Sequence, residues 1–261
     1  MNELNNPYSP PRASVDDASA AETGLYIDGG RVVSAGNGSE WIGTAWSMFK
    51  QSPGTWIGMF LIFMIIWMLI CILPIVSMFS MIAFPLFMGG FMIACDNQRK
   101  TGSLNFGDLF SGFQQKGGPL ALLGLLNMAL MFVIILPFIV IGIIGGVAAG
   151  AAGAFSGPNT FLMFTLIGLG IIIMATAMCL GYAAIYYAPA LVALNDVPPI
   201  DAMKSSFKAC LRNWRAGLIY FLLILLLGIL ACIPLGLGLL ILAPVLYASI
   251  YTSYRDIFIQ E

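Results

Sequence analysis

Histidine is absent from this 261-residue chain. That removes the commonest metal ligand and the commonest general base near neutral pH. Charge is scarce as well: 9% of the residues are Asp, Glu, Lys or Arg, against about a quarter in an ordinary soluble domain. The net charge of −1 leaves no basic excess for nucleic acid. The five cysteines, Cys71, Cys95, Cys179, Cys210 and Cys232, are odd in number and scattered. They form neither a disulfide framework nor a zinc spacing. No cofactor, no metal and no catalytic residue is indicated, and the expectation is a protein that is not an enzyme.

Apolar residues take the place of charge. They make up 60% of the chain, and the mean hydropathy is +0.95. With so little charge to wet its surface, the chain must have lipid as its main solvent. The exception is the start. Residues 1–38 are polar and rich in Pro, Ser and acid, and they are expected to form a flexible tail. Within them "LYIDGGRVVSAGNG" is compatible with either a short hairpin or a loop.

A membrane-crossing helix needs about 20 mostly apolar residues. The apolar runs of residues 39–261 divide into six such spans, at about 55–73, 77–95, 119–146, 160–189, 216–233 and 237–255. Pro74 and Pro234 fall between paired spans and mark turns, and Pro137 is expected to kink the third span. All eleven cations fall in the tail, in the second and fourth connections or at the C-terminus. The turns around Pro74, residues 147–159 and Pro234 carry no charge. The positive-inside rule then places both termini in the cytoplasm.

Each pair of spans is preceded by a segment with helical amphipathic spacing. Trp41, Ile42, Ala45, Trp46 and Phe49 share one face of the first. Phe106, Leu109, Phe110 and Phe113 share a face of the second, and Ile200, Met203, Phe207, Leu211 and Trp214 a face of the third. Such helices are expected in the headgroup plane, with the aromatic face turned into the acyl boundary. Trp41, Trp46, Phe49, Phe110, Phe113 and Trp214 are the expected interfacial anchors. The ends of the spans also repeat: "PLFMGGFM" from Pro85 matches "PVLYASIY" from Pro244, and "GYAAIYYA" from Gly181 matches "LYASIYTS" from Leu246. The expected fold is therefore all-α: a polytopic bundle of six transmembrane helices, built as three helical hairpins in a pseudo-threefold internal repeat. Each hairpin is led by a cytoplasmic-side amphipathic helix.

The stretches "NPYSPPRASVDD", "AWSMFKQSPGTWIG", "DLFSGF" and "APVLYASIYTSYRDIF" together resemble an uncharacterised family of proteobacterial multi-pass inner-membrane proteins. That resemblance implies a bacterial inner-membrane location and the six-helix fold, with no activity to transfer. More loosely, "VPPIDAMKSSFKACLRNW" is similar to the amphipathic lead-in of YciC-like proteins. It is also similar to that of the membrane domain attached to some bacterial glycerophosphodiester phosphodiesterases.

Apart from Arg255 at the very end of the sixth, no Asp, Glu, Lys, Arg or His falls inside an expected span, which argues against ion-coupled transport and intramembrane hydrolysis. Asn127 is the lone span amide and should face inward, as a helix–helix hydrogen bond or as a substrate contact. Tyr182, Tyr186, Tyr187, Tyr220, Tyr247 and Tyr251 either anchor the interface or line a polar vestibule. Methionines of the first hairpin, such as Met59, Met88 and Met92, are taken as packing residues. Gly142, Gly146 and Gly150 have a small-xxx-small spacing for helix packing, within the bundle or between copies. Lys204, Lys208, Arg212 and Arg215 track one side of the third amphipathic segment, where each gains about 1 kcal/mol from an anionic inner leaflet. Two functions follow. One is a non-enzymatic scaffold organising membrane lipids or a protein partner that docks through the N-terminal tail. The other is a permease or flippase-like carrier of an uncharged or lipidic substrate.

Overall fold

A computed structural model describes residues 24–72, 77, 79–151 and 160–260. The turn expected at Pro74, most of the 147–159 turn and the first 23 residues of the tail lie outside the described residues. Strand β1 (Leu25–Tyr26) is followed by α1 (Asn37–Gln51), α2 (Pro53–Ile72) and α3 (Ser80–Thr101). A 3-10 turn, Phe106–Phe110, leads into α4 (Ser111–Ala151) and α5 (Thr160–Ile185). Then come α6 (Ala188–Asn195), α7 (Pro199–Arg212), α8 (Trp214–Cys232), α9 (Leu239–Phe258) and β2 (Ile259–Gln260).

Among the described residues, five stretches are long and apolar enough to cross a membrane: Pro53–Ile72, Ser80–Thr101, Phe106–Val147, Thr160–Asn195 and Trp214–Cys232. The outward faces of these helices carry large apolar side chains. Phe132, Val133, Ile141, Phe161, Ile172 and Phe221 are all more than half exposed. A soluble monomer rarely exposes an apolar patch beyond a few hundred Å², so these faces belong in hydrocarbon. The fifth and sixth expected spans meet at residues 233–238, where Leu235 and Gly236 take positive φ (53° and 81°) to reverse the chain. α9 is not among the five. Its second half carries Ser249, Tyr251, Thr252, Ser253, Tyr254, Arg255 and Asp256, which lowers its hydropathy. Most of those side chains turn inward: Ser249, Tyr251, Thr252, Ser253 and Tyr254 are all buried.

Local chemistry sets the ends at the charged side. Arg99 and Lys100 occupy the last turn of α3, and Gly102 caps it with a left-handed φ of 71°. Asn105 and Asp108 form a reciprocal capping box on the 3-10 turn. The break in α4 falls at Lys116 (φ −132°, ψ 26°), while the backbone around Pro137 keeps helical dihedrals. The second amphipathic segment and the third span are thus one helix jointed just before Gly117-Gly118. The fourth span ends sooner than expected. The chain bends at Tyr186-Tyr187, and "APALVALN" forms the short helix α6, whose residues 188–193 are all buried. Residues 24–36 also depart from the expected tail. β1 pairs antiparallel with β2, Leu25 opposite Gln260 and Tyr26 opposite Ile259. The segment is a strap across the C-terminal end of α9, and it makes no hairpin with itself.

The amphipathic segments dock in a pattern. α1 packs on α9 and α8, the 3-10 turn with the start of α4 packs on α3, and α7 packs on α5. Small residues allow each approach. At the second contact, a Cβ on Gly90 would lie 2.0 Å from Leu109 O, and one on Gly112 would lie 2.0 Å from Leu86 O. At the third, Ser206 Oγ donates to Ala183 O (2.7 Å) and accepts from Tyr187 N (3.0 Å). At the first, Thr252 Oγ1 donates to Trp41 O (2.8 Å).

Candidate functional site

Two features stand out, a charged layer at one end of the bundle and a pair of tyrosine-walled cavities beneath it. Asp256 centres the layer. Arg31 donates to it twice, Nε to the backbone O (2.6 Å) and Nη2 to Oδ1 (2.9 Å). Its Oδ2 accepts from Asn37 Nδ2 and from Trp41 Nε1, each at 2.8 Å. Asn213 fastens the strap from the other side, accepting from Val33 N (2.8 Å) and donating to Arg31 O (2.9 Å). Ser205 Oγ donates to Asp28 (2.9 Å). On α3, Asp96 pairs with Lys100 (2.7 Å) and accepts from Tyr251 Oη (2.8 Å). Buried Gln98 accepts from Trp56 Nε1 (3.1 Å) and donates to Met48 O (2.8 Å), joining α1, α2 and α3. A 630 Å³ cleft opens on this layer, bordered by Arg31, Glu40, Arg99, Arg255 and Asp256.

Below it, a 240 Å³ groove runs between α5 and α8, with Cys179, Tyr182 and Tyr186 on one wall and Gly217, Tyr220 and Phe221 on the other. A second cavity of 160 Å³ lies deeper, among Met88, Tyr182, Tyr186 and Tyr247. Tyr182 and Tyr186 belong to both. Tyr220 Oη lies 2.5 Å from Ser249 Oγ, tying α8 to α9. Cys210 on α7 also borders the groove. Burial pushes its thiol up to about 12, so it stays protonated and unreactive at neutral pH.

The expected anchors separate. Trp41 is 4% exposed, with its ring edge-on to Tyr220 at 5.8 Å. Phe49 is buried too. The aromatic face of α1 therefore turns into the protein, against the expectation of an acyl boundary, because Asp256 offers the Trp41 indole an acceptor that lipid lacks. Trp46 remains on the surface, stacked on Phe49 at 5.4 Å. Phe110 and Phe113 are partly exposed, and Phe113 meets Phe87 at 4.8 Å. On α7 the large residues Ile200 and Leu211 stay exposed, as does Trp214 at the start of α8. The stripe Ala202, Ser205, Ser206 and Ala209 is what docks.

The four cations do not act as one set. Lys204 pairs with Asp201 (3.0 Å), and Arg215 lies over the Trp214 ring at 5.5 Å. Arg212 donates to Gly30 O (3.3 Å), and Lys208 runs beside Gly29, so these two lie along the strap. Asn127 follows the stripe Leu120, Gly124 and Met131 on α4, and its Oδ1 is buried with no hydrogen-bond partner among the described residues. It is not among the residues lining either tyrosine cavity. Among the described residues, Gly142, Gly146 and Gly150 do not pack closely on another helix: a Cβ on any of them meets nothing there within 4 Å. Gly142 and Gly146 face a 460 Å³ gap where α4 and α5 splay apart. Close approaches fall instead at Gly89, Gly90, Gly112 and Gly124 on the α3–α4 seam, and at Gly38, whose Cβ position lies 2.4 Å from Ala216 O of α8. Nothing in their spacing singled them out, although "MGGFM" was already part of the repeat.

Five membrane-length helices with apolar outer faces, closed at one end by a charged and hydrogen-bonded layer, define a multi-pass membrane protein. The chain is 27% identical over 265 residues to a probable inner membrane protein of Burkholderia thailandensis, a match covering 88% of this chain and 94% of that protein. No protein-family model matches the chain, and no solved structure matches it.

Proposed function

We propose that the protein is a non-enzymatic inner-membrane scaffold of six spans, with α9 as the sixth, that orders lipid or a partner protein in the bacterial envelope. Its three units run parallel, with both termini in the cytoplasm. The observation that carries the reading is the docking pattern. α1 leads the first unit and packs on α9, the last helix of the third. The second lead-in packs on α3, which closes the first unit, and α7 packs on α5, which closes the second. Each lead-in thus clasps the closing helix of the unit before it, in a cycle, as a pseudo-threefold arrangement requires. The clasped helices carry small pairs at matching places, Gly89-Gly90, Ala183-Ala184 and Ala248-Ser249.

A ring closed this way is a rigid, hydrogen-bonded plate at one membrane face, and the apolar helices below it are left loosely spread among lipid. That construction suits a scaffold better than a machine that must rock open. The relative's name supports the inner-membrane location. The likeness to YciC-like lead-ins extends only to a membrane module. Exposed Lys204 and Arg215 at the rim suit an anionic leaflet, and residues 1–23 are the proposed tether for a partner. The carrier reading rests on one specific observation, the Tyr182–Tyr186 wall shared by the groove and the cavity behind it.

Native mass spectrometry of the full chain, extracted from its host membrane, tests the choice. The scaffold reading expects a second polypeptide or anionic phospholipid retained at fixed stoichiometry. Retention of one uncharged lipidic molecule, with neither of those, would overturn it in favour of the carrier.

A further inference from the structure

Three seams join the closing helix of one unit to the first span of the next, and they are not alike. The α3–α4 seam is shut by backbone contact, with Gly89 against Leu120 and a Gly124 Cβ position only 2.6 Å from Ile82 Cα. The α9–α2 seam is shut by aromatic rings: Tyr247 meets Phe60 at 6.1 Å and Phe63 at 5.8 Å. The third, α5–α8, is the open one. It holds the 240 Å³ groove, and where the α3–α4 seam has tight glycines it has Gly217, whose Cβ would meet nothing within 4 Å.

A second space backs onto the groove across Tyr182 and Tyr186. This 160 Å³ cavity is lined by Met88, Tyr182 and Tyr247, each the residue just before the small pair of its own unit. Three equivalent positions from three units converge only near the pseudo-threefold axis, so this cavity is central. Each space alone, 240 and 160 Å³, is below the roughly 300 Å³ at which ligand pockets begin; Tyr182 and Tyr186 form the wall between them, and turning those two rings aside would merge the spaces into that range. Among the described residues, neither lining contains Asp, Glu, Lys or Arg. The polar groups on offer are tyrosine hydroxyls, with Asn213 at the charged end of the groove. Its outer lip is continuous with bilayer-facing Leu218, Phe221 and Leu225.

We infer that the α5–α8 seam is a lateral portal through which a neutral single-chain lipid enters from the leaflet nearest the charged layer. Its chain lies along the groove, and its hydroxyl or ester head rests among Tyr182, Tyr186 and Tyr247. A charged headgroup has no counter-charge there and would remain outside. The inference rests on the three-unit reading, since it identifies the open seam by comparison with the two closed ones.

The test uses the full chain in nanodiscs with a diazirine-bearing monoacylglycerol, and the labelled peptides are mapped by mass. Label should concentrate on residues 179–186 and 217–224. Gly217→Trp, which fills the groove without a clash, should lower that label about tenfold, equivalent to about 1.4 kcal/mol of binding. Gly228→Trp, on α8 outside the groove and equally unobstructed, should leave it unchanged. Label spread evenly over α4, α5 and α8, or undiminished in Gly217→Trp, would overturn the portal. So would equal labelling by the phosphate-bearing analogue. Loss of the portal while the three lead-ins still map to one membrane face would leave the unit architecture standing.

Discussion

Gly112→Ala should lower the melting temperature in detergent by about 10 °C, whereas Gly146→Ala should move it little. The difference follows from what each new methyl meets. At Gly112 it would lie 2.0 Å from Leu86 O and 2.8 Å from Gly90 N, both backbone atoms that no rotamer change can clear. α4 must lift off α3, and overpacking of this kind costs about 3 kcal/mol, the upper end of its usual range. For a chain of this size that is roughly 3 °C per kcal/mol. At Gly146 the methyl enters open space, and replacing an exposed helical glycine shifts stability by at most about 1 kcal/mol in the favourable direction. Equal effects at the two sites would mean that α4 packs through its glycine stripe after all. Gly90→Ala should behave like Gly112→Ala, because its Cβ position is 2.0 Å from Leu109 O.

Asp256→Ala should destabilise the protein by about 3 kcal/mol and free the strap, while Asp256→Asn should cost about a third of that. The Arg31 pair is the smaller part of this. Its side chain is 47% exposed, and a pair screened to that extent contributes less than about 1 kcal/mol. The larger loss lies with the Trp41 indole and the Asn37 amide. Trp41 is buried, and without the carboxylate its N–H has no acceptor, which costs about 1–3 kcal/mol. Asparagine keeps one oxygen in place and so keeps part of that bond. Limited trypsin digestion gives the structural readout: cleavage after Arg31 should be slow in the native protein and rapid in Asp256→Ala. Unchanged cleavage would show that the strap is held without Asp256.

The helices were legible because a bilayer-facing run and an amphipathic lead-in each leave a period and a length in the residue order. The direction in which the lead-ins face was not. Trp41 and Phe49 on one helical face suit an acyl boundary or a protein interior equally, since both are apolar. What decides is a single acceptor, Asp256, lying 215 residues further on. α6 was hidden for a similar reason. "APALVALN" has no polar face, so nothing in it marked a separate helix, and residues 188–193 of that helix are buried. The glycines misled in a third way. Small-residue spacing permits close approach without compelling it, and whether helices meet at Gly142 or at Gly90 depends on the partner surface. The strap was lost to its composition, because polar and glycine-rich sequence looks free until a docking site such as Asn213 is known. The small pairs of "PLFMGGFM" and "PVLYASIY", by contrast, could be read from the sequence, and they lie on α3 and α9.

Three parallel units, as proposed above, require every lead-in on one membrane face and the turn after α8 on the other. This placement is tested most directly by labelling single-cysteine variants with a membrane-impermeant maleimide in spheroplasts, before and after permeabilisation. Gly43→Cys, Gly107→Cys and Lys204→Cys sample the three lead-ins at open positions, and Leu235→Cys samples the turn, where the native side chain is 97% exposed. Leu235→Cys should label from outside in intact spheroplasts, and the other three should label only after permeabilisation. Lead-ins divided between the two faces, or Leu235→Cys on the same face as they are, would contradict that placement.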